Sequence, residues 1–133
     1  MTSSQRFEPW KTLQHYAEAG ERAELEAFVE AIGPSEAFRA LLRLDHAERE
    51  LVLTTLSPTE AAEIMEEIPR EHAADIIEQL PALDAAAILN EMDSDDQADV
   101  LGEMEEQEAE AILAKMAPEE ARDARRLMRY EDD

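Results

Sequence analysis

The sequence predicts an all-α protein in which short helices stack side by side. Three observations lead to this prediction: apolar residues recur with a period of twelve, each period carries its own helix-start signal, and no pattern typical of a β-hairpin occurs. Blocks of twelve residues cover positions 33–128 without an insertion, block 21–32 keeps the same register, and block 9–20 keeps it weakly.

In most blocks the apolar residues fall at places five, eight, nine and twelve, although Arg125 interrupts the series at place nine. This spacing of i, i+3, i+4 and i+7 lies along one face of an α-helix. Place five is usually alanine, and places eight and nine are mostly aliphatic. Place twelve holds Ile32, Leu44, Leu56, Ile68, Leu80, Met92, Met104, Met116 and Met128. Because the methionines share this stripe, we predict that they belong to the core and not to a binding groove.

Proline marks the beginning of many blocks. Pro34, Pro58, Pro69, Pro81 and Pro118 stand at place one or two, where proline starts a helix or ends the one before. Each block therefore predicts one helix of about nine or ten residues, about 14 Å long. A helix this short is unstable alone, so the blocks are expected to stack into an α-helical superhelix.

Composition bounds the class of protein. The 133 residues suffice for a domain with a core, and with 44% hydrophobic but only 5% aromatic residues that core must be aliphatic. The absence of cysteine excludes disulfides and thiolate metal sites. The longest apolar runs are too short to span a bilayer, and the first residues lack the features of a signal peptide. We predict a soluble, cytoplasmic domain without direct membrane insertion.

The formal net charge of −22 restricts the partners. A polyanion is repelled by nucleic acid and by anionic membranes, so the sequence favours cations or basic partners. A merely well-solvated acidic surface is the alternative reading. No phosphate-binding loop and no nucleophile paired with a base can be found, and the three histidines lie far apart. We therefore predict that the chain is not an enzyme.

The stretch DSDDQADVLGEM begins like a calcium-binding loop, with Asp93 and Asp95 at its first and third places. The required glycine and glutamate are replaced by Ala98 and Met104, which excludes an EF-hand. We expect instead that Asp93 caps a helix in whose first turns Asp95 and Asp99 lie side by side. Like charges at this spacing repel each other unless a cation joins them.

Glu63 holds the same place in its block as Asp99 does in its own. If helices three blocks apart face the same side, Glu63, Asp95 and Asp99 share one surface. Carboxylate oxygens are hard ligands, which suit Mg²⁺ or Ca²⁺ better than a transition metal. Spacing alone favours the alternative, an exposed acidic face that binds nothing specific.

Three stretches resemble the N-terminal cytosolic domain of MgtE-type magnesium transporters: LSPTEAAEIMEEIP, LPALDAAAILNEMDSDDQADVL and the tail ARRLMRYEDD. The resemblance implies a right-handed superhelix of short helices. It also implies an N-terminal segment with the first helix (1–20), a helical-repeat domain (21–128) and the start of a linker (129–133). That linker would lead toward CBS domains beyond this sequence.

The resemblance further implies a regulatory, Mg²⁺-sensing function. In this family, Mg²⁺ held between acidic residues of this domain and the CBS domains favours the closed transmembrane pore of a homodimer. The matching carboxylates here are Glu63, Asp95 and Asp99, and without the CBS half of the site we expect only weak Mg²⁺ binding. The alternative is a helical-repeat scaffold for protein–protein contacts, similar to the flagellar motor switch protein, without metal sensing.

Overall fold

The computed structural model describes residues 8–132, with side chains as far as residue 128. The described chain contains ten α-helices and no strand, which confirms the all-α prediction. The helices are α1 (Pro9–Ala19), α2 (Arg22–Ile32), α3 (Pro34–Leu42), α4 (His46–Thr55), α5 (Pro58–Glu66), α6 (Arg70–Glu78), α7 (Ala82–Asn90), α8 (Ser94–Gly102), α9 (Glu106–Leu113) and α10 (Pro118–Asp132).

The helices follow the twelve-residue register. From α3 onward every helix begins at place two of its block, so that successive starts are one block apart. Each of the first nine helices has eight to eleven residues, close to the predicted length, whereas α10 has fifteen. Proline starts a helix at positions 34, 58 and 118 and occupies the N-cap at 69 and 81.

The core is the predicted stripe. In α7, places five, eight and nine are buried as Ala85, Ile88 and Leu89, and Met92 completes the stripe at place twelve. Place six is buried as well in several blocks, which periodicity did not predict. Its residues are Ala62, Ala74, Ala86 and Ala98. These alanines widen the buried face. The burial of Met92, Met104 and Met116 confirms that these three belong to the core, whereas Met128 is half-buried and borders an open groove.

The chain divides between Ser57 and Pro58 into two compact units. In the first unit, α1 contacts α2, α3 and α4. In the second, each helix from α5 to α8 contacts the helix two positions further along. The superhelix and its right hand stay predictions, as do the domain boundaries. The predicted linker start is helical as far as Asp132, while residues 1–7 and 133 lie outside the described part.

A polar side chain at place five can donate hydrogen bonds to the carbonyl groups at the end of the preceding helix. The last carbonyl groups of a helix have no partner within that helix. At the end of α3, Arg49 donates from Nε to the Leu41 carbonyl oxygen (3.1 Å) and from Nη2 to that of Leu44 (3.1 Å). These two acceptors stand at places nine and twelve, while Arg49 stands at place five of the next block.

Gln97 does the same for the end of α7. It also stands at place five, is fully buried, and donates from Nε2 to the carbonyl oxygens of Leu89 (2.6 Å) and Met92 (3.0 Å). The same amide nitrogen lies 2.8 Å from Glu120 Oε1, so its two N–H groups are shared among three acceptors and connect α8 with the end of α7 and with α10. Gln97 is the buried polar side chain of the described core.

Helix beginnings receive an acceptor from three helices earlier. The backbone N–H of Asp93 donates to Glu66 Oε2 (3.0 Å), and that of Ala117 donates to Asn90 Oδ1 (3.2 Å). Each acceptor stands at place ten and each donor at place one, 27 residues later. The prediction that the Asp93 side chain caps α8 is wrong. Asp93 is the N-cap residue, but its side chain makes no cap hydrogen bond; its carboxylate lies beside those of Glu66 and Asp96.

Candidate divalent-cation site

The three predicted metal ligands lie on two helices of the second unit. Glu63 is exposed on α5, Asp95 is exposed in the first turn of α8, and Asp99 is half-buried one turn later. These three do not by themselves bring their carboxylate oxygens together as one compact group. Since the predicted site has its other half on a different domain, their role stays a prediction.

The structure does bring together three neighbouring carboxylates, which we term the Glu66 cluster: Glu66, Asp93 and Asp96. One oxygen from each of them lies within 4.8 Å of the others. Glu66 ends α5, Asp93 precedes α8, and Asp96 lies in the first turn of α8. Three hard oxygen donors on one side are a set that suits Mg²⁺ or Ca²⁺, with waters completing the coordination.

The electrostatics of the cluster are visible at Asp96. Burial raises the pKa of its carboxyl group above the ordinary value, and the negative charges of Glu66, Asp93, Asp99 and Asp95 raise the pKa further. The same repulsion that makes ionisation of Asp96 costly also creates a potential that attracts a divalent cation.

The raised pKa of Asp96 predicts a stabilising substitution. A carboxyl group whose pKa is higher in the folded than in the unfolded chain destabilises the fold when it is ionised. This loss of stability is complete at pH values above the pKa of Asp96 in the folded chain. It vanishes as the pH falls below the pKa in the unfolded chain, about 3.9. Asp96→Asn should therefore raise the melting temperature at neutral pH, with a gain that shrinks toward acidic pH. Circular-dichroism melts across this range measure it.

Glu119→Gln provides the control, since it removes one charge from an exposed position on α10. General relief of the chain's negative charge stabilises both variants alike. Equal gains in the two variants across the pH range would show that Asp96 carries no specific strain.

Among the side chains that the structure describes, one arginine forms an ion pair with the predicted ligand Asp99. Arg70, at the beginning of α6, places Nη1 at 3.1 Å from Asp99 Oδ1 and Nε at 3.6 Å from Glu103 Oε2. The Arg70 side chain is 49% exposed. A cavity of about 200 Å³ has Arg70 and Asp99 in its lining together with Glu66 and Asp96. Arg70 and the Glu66 cluster therefore border the same cavity.

A second group of acidic residues occupies the same places in the repeat as the Glu66 cluster. Burial raises the pKa of Glu78, and a hydrogen bond with Glu108 and the charges of Glu108, Asp75 and Glu105 raise it further. Glu78 stands at place ten of its block, as Glu66 does, and Glu105 and Glu108 stand at the places of Asp93 and Asp96. Acidic residues at place ten and, three blocks later, at places one and four are the sequence signal for such clusters, and periodicity of apolar residues does not reveal it.

Within the described residues, no helix combines the length and the apolar character needed to cross a bilayer.

The solved structures similar to this chain include two magnesium-transport proteins. One is the soluble part of a magnesium transporter, with a TM-score of 0.77, 25% identity, and coverage of 94% of this chain and 50% of the other. The second is the cytosolic domain of the Mg²⁺ channel MgtE solved with ATP, with a TM-score of 0.72, 27% identity, and coverage of 93% and 51%. The chain thus spans about half the length of each. Comparison with curated protein sequences finds no relative.

The family model of the MgtE intracellular N domain matches residues 32–133, which is most of the chain. This match supports the transporter-domain interpretation over the scaffold, and the intracellular location of the family agrees with the cytoplasmic prediction. The chain belongs to the family of MgtE intracellular N domains.

Proposed function

We propose that this domain senses Mg²⁺ for a magnesium transporter or channel. In the proposal, Glu63, Asp95 and Asp99 bind Mg²⁺ at an interface with CBS domains of a homodimeric parent, and the bound ion favours the closed transmembrane pore. The observation that carries it is the acidic surface of α5 and α8 in a chain of this family. The relatives described above are parts of Mg²⁺-transporting proteins, which supports the choice of ion.

The physical basis is charge compensation. Two acidic surfaces repel each other until a divalent cation lies between them, and the repulsion between exposed charges reaches about 8 Å at physiological ionic strength. Mg²⁺ retains most of its water and is commonly bound by one or two carboxylates, so it can bridge two surfaces without a closed protein cage. When the Mg²⁺ concentration falls, the uncompensated carboxylates separate the domains.

The Glu66 cluster supports the proposal from within this chain. Its three carboxylates lie beside the predicted ligands on the same two helices, and their mutual repulsion is present before any partner docks. A cation near α8 is therefore favoured by charges that are fixed by the fold. Half of the proposed site still belongs to the partner domain, so the affinity of the domain alone should be low.

Titration of the chain with Mg²⁺, followed by residue-resolved NMR at constant ionic strength, tests the proposal. We expect weak, millimolar-range changes centred on Glu63, Asp95 and Asp99, and tighter binding when a CBS-containing partner is present. Asp95→Asn should reduce the response on α8, whereas Glu36→Gln, an exposed carboxylate on α3, should leave it unchanged.

Two results would contradict the proposal. If NaCl at matched ionic strength produced the same changes, the surface would attract counterions without sensing Mg²⁺. If the chain alone had a tight Mg²⁺ site that salt does not weaken, the site would not be shared with another domain.

A further inference from the structure

Arg70 occupies a position that its own helix does not favour. It is the first residue of α6, and a positive charge is unfavourable at a helix N-terminus because the macrodipole is positive there. The guanidinium group instead reaches α8, where Asp99 and the C-cap residue Glu103 lie within ion-pair distance. Near the C-terminus of α8 the same dipole favours a positive charge. The ion pairs with α8 thus account for a positive charge at the beginning of α6.

Arg70 also borders two spaces from which a divalent cation can approach Asp99. It borders the small cavity that Glu66, Asp96 and Asp99 line, and together with Asp99 it borders a second, open groove of about 600 Å³. A cation that reaches Asp99 from either of these spaces therefore passes close to the guanidinium group of Arg70. Because arginine stays protonated at all physiological pH values, this positive charge is permanent.

We infer that Arg70 is a built-in competitor of the divalent cation at Asp99, and that it raises the Mg²⁺ concentration at which this face is neutralised. The inference rests on the proposed function. A cation that coordinates Oδ1 of Asp99 has to displace the guanidinium group, and one that binds at Oδ2 is repelled by the positive charge beside it. Without Mg²⁺, Arg70 keeps Asp99 compensated, so that among the three proposed ligands the uncompensated repulsion comes from Glu63 and Asp95.

The size of the effect follows from the exposure of the pair. Arg70 is about half exposed, and ion pairs of this kind are weak because water competes with both partners. Competition therefore shifts the affinity of Asp99 by a small factor and does not block the site. For the loss of such a pair we expect binding at Asp99 to tighten about two- to fivefold.

The test compares Arg70→Gln with Arg126→Gln in the full chain. Both variants remove one positive charge from an ion pair, but Arg126 pairs with Asp123 within α10. Residue-resolved NMR titration with MgCl₂ at constant ionic strength reports the apparent Kd at Asp99. Arg70→Gln should tighten it about two- to fivefold, and Arg126→Gln should leave it close to wild type. Equal values for the two variants would overturn the inference.

Arg70→Lys gives a second measurement that holds even if Arg70→Gln fails to fold. Lysine keeps the charge but loses the planar fork that binds two carboxylates, so we expect an affinity between wild type and Arg70→Gln. An affinity for Arg70→Lys indistinguishable from wild type, with Arg70→Gln unfolded, would count against competition.

The outcomes separate the inference from the proposed function. If wild type responds specifically to Mg²⁺ and Arg70→Gln does not differ, the role of Arg70 is refuted and the sensing proposal stands. If wild type shows no Mg²⁺-specific response but Arg70→Gln gains one at Asp99, the competition is supported and sensing by the native chain fails. If neither chain responds, both are refuted.

Discussion

Replacing Leu89 by alanine is expected to lower the free energy of unfolding by about 2–5 kcal/mol. Leu89 stands at place nine of α7 and its side chain is 0% exposed. Truncation removes buried methyl and methylene groups and leaves a cavity among neighbouring side chains that can relax only in part. Denaturation by urea, followed by circular dichroism at fixed salt, measures the loss.

Leu83→Ala is the matched control. It makes the same substitution on the same helix, but Leu83 is 67% exposed and lies outside the stripe. Since its side chain gains little from folding, we expect a change within about 0.5 kcal/mol. Similar losses in the two variants would show that the stripe does not identify the core.

Replacing Gln97 by glutamate is expected to cost about 3–5 kcal/mol at neutral pH. The carboxylate has nearly the same shape but no proton to donate to the carbonyl oxygens of Leu89 and Met92, and it would face the carboxylate of Glu120. Gln97 is fully buried, so the new charge would have neither water nor a positive partner. Chemical denaturation at several pH values measures the effect.

The pH dependence of that variant has a definite sign. Burial and negative neighbours raise the pKa of the introduced carboxyl group in the folded chain above its unfolded value of about 4.3. The loss of stability is therefore complete above the folded pKa and shrinks as the pH falls toward about 4.3.

Two comparison variants isolate the cause. Gln107→Glu adds the same charge at an exposed position of α9 and should cost little. Gln97→Leu removes the donor without adding a charge, so it should cost about 1–3 kcal/mol with no pH dependence of its own. If Gln97→Glu were as stable as Gln107→Glu at neutral pH, the hydrogen bonds of Gln97 would not hold the three helices together.

The helix register could be predicted because apolar side chains report burial directly. Leu89 and Met92 appear in the sequence as members of a stripe, and the structure buries both. The alanines at place six could not be assigned in this way, since alanine is common on both buried and exposed faces of helices. Gln97 gave a weaker signal as a long polar residue at a core place, but its function needed the position of the preceding helix end.

Helix capping cannot be predicted from neighbouring residues when the hydrogen-bond acceptor belongs to a helix distant in sequence. A reciprocal capping box is present between Asp45 and Glu48 at the start of α4. At the start of α8, Asp96 stands at the place that Glu48 holds, and the sequence predicts that Asp93 caps the helix. Asp96 is one methylene shorter than a glutamate and reaches back less far, and the N–H of Asp93 is taken by Glu66. No local pattern discloses a partner 27 residues earlier.

The acidic spacing on α8 could be predicted, whereas its surroundings could not. Asp95 and Asp99 lie four residues apart in a helix, which alone places them on neighbouring turns. The Glu66 cluster and the contact of Arg70 with Asp99 both depend on how α5 and α6 meet α8. Those contacts are long-range, so they are determined by the packing of the whole second unit.

The acceptors supplied from three helices earlier have a consequence for how the second unit unfolds. Stacked repeats that contact only their immediate neighbours can fray from one end, one repeat at a time. Here a side chain of α5 accepts a hydrogen bond from the backbone at the start of α8, and a side chain of α7 does the same for α10. Gln97 also connects α8 with α10. Opening a middle helix therefore exposes backbone groups in helices further along the chain. We therefore expect α5, α7, α8 and α10 to open together and not one at a time, which hydrogen exchange of their backbone amides would measure.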